Sequence, residues 1–234
     1  MKSVMREMAQ AKRHYSTLPL FEFLRDDQIS PRDRLAFYPC MAPFILAFSD
    51  LNRFVFRDEA SRDPYQRHIN ERTYLDDNHW PWYLEDLVRL GFDRNIGPAQ
   101  VFRAIMKDEA IHSRMLAPRL AQLAYQATPI EKIVILESIE ETGNVLFGIT
   151  AKLAARLEAE GGPVLRYETV RSMRGFDSRA HEALALGEAE RKRCLDCSFR
   201  VFDMFADWSN ELHAYALRAL SQRTTPHIVR GRTA

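Results

Sequence analysis

The stretch PIEKIVILESIEETGNVLFGITAKLAARL, residues 129–157, constrains this chain more than any other. Projected at 100° per residue, Ile133, Leu136, Ile139, Val145, Phe147, Ile149 and Leu153 fall on every side. A helix without a polar face belongs inside a bundle. Its middle nevertheless carries Glu137, Glu140 and Glu141, and Glu140 projects between Leu136 and Phe147. Burying a lone carboxylate costs on the order of several kcal/mol, so this one must be neutral, paired with a cation or bound to a metal. Gly143 and Gly148 lie in the same helix, each at about 1 kcal/mol relative to alanine, which points to space kept for a close helix or a ligand. A structural ion pair with an arginine of another helix answers the same problem, and the residues leave both readings open.

The rest of the chain has the same period. Apolar residues recur at three and four rather than two, and no Asn-Gly or Asp-Gly hairpin signal occurs. TLPLFEFLRDD reads as a short first helix, and Ser30-Pro31 as an N-cap with proline at the first helical position. The segment that follows is kinked by Pro39 and Pro43. A helical region from Pro64 to Leu90 stops at Gly91, another opens at Pro98, and Thr128-Pro129 caps the central helix, which ends at Gly161-Gly162. PVLRYETVRSMRG is a short helix, and the stretch from Phe176 to Leu220, about 65 Å if unbroken, is expected to kink at Gly187. The expectation is a single all-α domain over residues 1–222, a bundle of seven or eight helices, followed by a loose basic tail at 223–234.

A formal charge of +1 gives no reason to expect nucleic acid or an anionic membrane as partner. No contiguous apolar run approaches the roughly 20 residues of a membrane span, and the N-terminus lacks the apolar centre of a signal peptide, so a cytoplasmic protein is expected. Three cysteines do not make a disulfide framework. Cys194 and Cys197 form a C-x-x-C, but within a helix and without a second ligand pair, so they read as small packing residues.

Four places carry side chains suited to chemistry. The buried Glu137 and Glu140 are the first. In the second, His68, Glu71, Leu75 and Asn78 share a face, with His79 and Trp82 beside them, able to turn a carboxylate and imidazoles toward a cavity. The bland reading there has Asp76, Asp77 or Asn78 capping a new turn before Pro81, with His79 packed on an indole. The third is His181, which shares a face with Leu184, Ala185 and Glu188; an amphipathic helix explains it equally. The fourth is Glu109-x-x-His112, the spacing of carboxylate-bridged di-iron bundles, which lacks the second such pair that those sites use.

In order along the chain, LPLFEFLRDDQIS, HINERTYLDDNHWPWYLEDLVRLG, SRMLAPRLAQLA, LESIEETGNVLFG and the helix bearing His181 resemble the heme-oxygenase-like superfamily over roughly residues 15 to 215. That group includes heme oxygenases, thiaminase II-type proteins and di-iron oxidases. For the di-iron members the resemblance implies ligands from three core helices. His79 matches the first histidine, although Arg72 stands where its carboxylate partner belongs and Glu71 is one position off. Glu140, or its neighbour Glu137, matches the central glutamate, and His181 the last histidine, with Arg174 and Ser178 in place of two further ligands. His79, His181 and one glutamate still make a two-histidine, one-carboxylate set suited to a single Fe(II). For heme, the proximal histidine would be His14, while TGNVLFG does not reproduce the glycine-rich distal helix. Thiaminase-type chemistry would need a reactive cysteine in the pocket.

The function expected on this footing is a non-heme iron oxidase or oxygenase acting on a small organic substrate. Its metal would be held by His79, Glu140 and His181, assisted by Glu71 or Glu137, in a pocket walled by Trp82 and Phe147. The alternatives are a metal-free, dimerising binding protein of the same fold and, third, a heme-binding protein.

Overall fold

A computed structural model describes residues 1–93, 97–172 and 184–224, and the described residues contain no strand. Among the described residues eleven α-helices follow one another: α1 (Lys2–Tyr15), α2 (Pro19–Arg25), α3 (Pro31–Arg34), α4 (Ala42–Leu51), α5 (Pro64–Tyr74), α6 (Trp80–Arg89), α7 (Pro98–Met106), α8 (Ile111–Tyr125), α9 (Pro129–Ala159), α10 (Arg166–Ser172) and α11 (Glu188–Thr224). The expected seven or eight are exceeded because long periodic stretches are cut where proline or a polar cluster interrupts the ladder. Pro39 sits in a 3-10 turn (Tyr38–Met41) and Pro43 in the first turn of α4, so the kinked segment is separate pieces. Likewise 64–90 divides at the turn of residues 75–78 before His79, and a 3-10 turn at Asp108–Ala110 splits α7 from α8. α1 was not expected; Val4, Met8 and Tyr15 give it a buried face between charged ones.

The central helix α9 is capped as its sequence requires. Thr128 Oγ1 accepts the Glu131 N–H (3.3 Å) and Glu131 accepts the Thr128 N–H (2.8 Å), a capping box preceding Pro129. The stops also hold: Gly91 (φ 73°) and Gly161 (φ 82°) take the left-handed conformation that side chains resist. α9 is packed by α11, α10, α5, α3, α1 and α2, so it is the core of the bundle. Expected kinking at Gly187 becomes a true start, with α11 beginning at Glu188.

By length and composition alone Pro31–Phe56 is apolar enough to cross a membrane, although Arg32, Asp33, Arg34, Asp50 and Arg53 interrupt it and no contiguous apolar run in it reaches that length. Leu35, Phe37, Tyr38, Met41 and Phe56 of this run are fully enclosed in the bundle core.

Candidate functional site

A cavity of about 30 Å³, room for one or two waters, lies where α4, α9, α10 and α11 meet the turn before α6. Its walls are largely aromatic: Phe44 and Phe48 from α4, Trp80 from α6, Phe147 from α9, Tyr167 from α10, and Phe205 and Trp208 from α11. Gly143 forms part of the α9 wall. A Cβ built there would stand 3.6 Å from Arg171 Nη2 and 3.7 Å from the Phe147 ring, ordinary contact distances. The glycine thus leaves the helix backbone bare beside a guanidinium.

Polar groups cluster at one end. His79 is the residue preceding α6, and Pro81 sits in the first helical turn. Its Nδ1 lies 3.2 Å from Asp76 Oδ1, and its ring stacks on Trp82 at 5.3 Å between centroids and 26° between planes. Arg166 lies over the same indole at 4.6 Å. Arg171 Nη1 donates to Asp76 Oδ1 at 3.0 Å, while Nη2 stands 3.9 Å from Glu140 Oε2. Arg72 Nη2 completes the set, 3.4 Å from Glu140 Oε1. The result is a chain of alternating charge, Arg72–Glu140–Arg171–Asp76–His79, nearly all of it out of water. One turn before Glu140, burial raises the Glu137 carboxyl from its ordinary 4.5 to about 8, against the pull of Arg72 and with the help of Glu141. It is therefore mostly neutral near pH 7.

The expected site residues separate accordingly. His79 and Phe147 line the cavity, and Glu140 joins its polar end through Arg171. Glu71 is exposed on α5, Glu137 is buried on α9, and Trp82 stands behind His79, where its neighbour Trp80 faces the cavity instead. His181 lies outside the described residues. Sequence reasoning missed Asp76 as the partner of His79, although its i, i+3 spacing was legible, and missed Arg171 altogether. The demand of a buried Glu140 for a cation was the available signal; nothing in the sequence said which arginine answers it.

Behind the cavity, α10 is held by two further carboxylates. Asp86 of α6 accepts the Arg166 and Tyr167 N–H groups, both at 2.8 Å, capping the first turn. Glu168, wholly buried, accepts from Tyr38 Oη at 2.6 Å and from Thr150 Oγ1. No cysteine is among the described lining residues. Cys40 is buried against Ser113 (3.3 Å) and its thiol is pushed up to about 11 by burial. Glu109 and His112 sit apart on the surface near α11, with His112 Nδ1 3.6 Å from Asp207. His14 is exposed beside a groove between α1 and α11.

No protein-family model matches the chain, and no curated protein matches its sequence. The crystal structure of a TenA homolog from Pseudomonas syringae pv. tomato matches the bundle with a TM-score of 0.54 at 11% identity, over 94% of this chain and 91% of that one. The fold is heme-oxygenase-like. At that identity the heme-oxygenase-like bundle says nothing of a shared reaction.

Iron, which some proteins of this fold bind, is not fitted by the described donors. No three His, Cys, Asp or Glu side chains converge among the described residues, and Glu140 is claimed by two guanidinium groups. A dication beside it would face Arg72 and Arg171 at close range in a medium of low dielectric.

Proposed function

We propose that this heme-oxygenase-like chain works without a metal, binding a small planar molecule in the cavity under Trp80. The observation that carries this reading is Arg171. Its guanidinium stands between Asp76 and Glu140, supplying the positive charge that these carboxylates would otherwise draw from a metal ion. Aromatic walls favour a flat ligand by stacking and burial, and Arg171 and His79 offer polar contacts at one end. The free space is smaller than any such ligand, so entry requires a wall to move. Trp80 is the candidate, being 40% exposed and the first residue of α6 after a turn.

Two measurements on purified protein test this. Anaerobic Fe(II) titration is expected to give no stoichiometric binding. A thermal-shift screen of planar aromatic amides and ketones is expected to give ligands that stabilise the wild type and fail with Gly143→Leu, which fills the cavity. Stoichiometric Fe(II) binding that disappears in His79→Ala would overturn the proposal in favour of the iron oxidase.

A further inference from the structure

Helix α10 contributes two cavity residues, Tyr167 and Arg171, and its grip on the bundle passes through a carboxyl group that, among the described residues, has no cation in direct contact. Glu168 is fully enclosed. Its oxygens meet two hydroxyls: Tyr38 Oη donates to Oε1 at 2.6 Å, and Thr150 Oγ1 lies against Oε2. The Thr150 hydroxyl has a second outlet, the Leu146 carbonyl at 3.2 Å. With its proton turned to Leu146, Thr150 becomes an acceptor for a protonated Glu168. The neutral acid therefore finds one donor and one acceptor in place, a complete set for a carboxylic acid. The ionised form has hydroxyl donors but, among the described residues, no counter-charge in direct contact. Among the described residues the charged and titratable groups facing it are Tyr38 from the 3-10 turn, Asp86 from α6, and Tyr167 and Arg171 from α10 itself. Of these, Asp86 repels the carboxylate and Arg171, already committed to Asp76 and Glu140, only partly offsets burial.

We propose that α10 is a pH-operated clasp on the cavity, closed while Glu168 is protonated and released when it ionises. The inference rests on the reading of the cavity as a small-molecule site, since release would withdraw Tyr167 and Arg171 from its wall. Burial raises the Glu168 carboxyl from 4.5 to about 7, with the Thr150 and Tyr38 hydroxyls lowering it and Asp86 raising it. A carboxyl that holds its proton more tightly when docked than in water favours docking at low pH. The closing contribution is complete below the ordinary carboxylate range and is lost as pH rises through about 7.

Trp82 reports the state of α10, because Arg166 covers its indole. In the Trp80→Phe/Trp208→Phe protein Trp82 is the sole tryptophan. Its acrylamide quenching slope, divided by the unquenched lifetime, reads exposure, and that division removes any quenching by the neighbouring His79 ring. The slope is expected to rise roughly twofold between about pH 5.5 and pH 8.5 and to level off once pH has passed the Glu168 titration. Glu168→Gln should hold the low-pH slope throughout. Tyr38→Phe, which removes a hydroxyl that steadies the ionised Glu168 inside the bundle, should make release more complete at high pH and serves if the glutamine variant does not fold. A flat slope across the range, or a pH response in the variants identical to wild type, overturns the clasp. The readout needs no ligand, so a protein that passes here but binds nothing in the thermal-shift screen would refute the small-molecule reading alone.

Discussion

Arg171 Nη1 lies 3.0 Å from Asp76 Oδ1, joining α10 to the turn that orients His79. Both side chains are about nine-tenths buried, so this is one of the places where the bundle holds charge away from solvent. Removing the cation takes a counter-charge from two buried carboxylates at once, Asp76 and Glu140, leaving Arg72 facing Glu140 and His79 facing Asp76. Arg171→Met is therefore expected to lower unfolding free energy by about 3–5 kcal/mol in urea denaturation, with Arg171→Lys intermediate. A loss below about 1 kcal/mol would mean that the carboxylates are satisfied elsewhere.

Gly143 separates stability from binding. Its Cβ position is open enough for alanine, and a helix-interior Gly→Ala change is worth roughly 0.5–1 kcal/mol in favour of the fold. Gly143→Ala should raise the melting temperature while weakening any ligand seated beside Arg171. Calorimetric melting and titration of the same sample give both signs together.

The α9 cap predicts an acid-side effect. Burial acts to raise the Glu131 carboxyl, but the Thr128 N–H and Arg193 Nε at 2.6 Å outweigh it, and the group is held below its usual range. A lowered carboxyl gives stability that is full above the ordinary value and is lost as pH falls through the native one. Glu131→Gln should thus cost stability at neutral pH and converge with wild type under acid. Thr128→Ala should cost about 1 kcal/mol at either pH.

The three thiols should be inert in the folded protein. Cys40, Cys194 and Cys197 are all buried, and burial pushes the last two up to about 12 and about 11. Ellman's reagent at pH 8 is expected to label none of the three until denaturant is added. Prompt labelling of Cys194 or Cys197 without denaturant would reopen a redox role for the C-x-x-C.

The all-α class, the capped and largely buried α9, and the stops at Gly91 and Gly161 were legible in the sequence because each depends on local rules: periodicity, a capping box, a left-handed glycine. The stacking of His79 on an indole was legible too, since the two residues are neighbours on one turn. Tertiary structure alone decided what neutralises Glu140. Its partners, Arg72 and Arg171, lie 68 residues before it and 31 after it in the chain. Periodicity shows that a charge is buried, but which counter-charge meets it depends on how α5, α9 and α10 pack, and no local pattern encodes that choice.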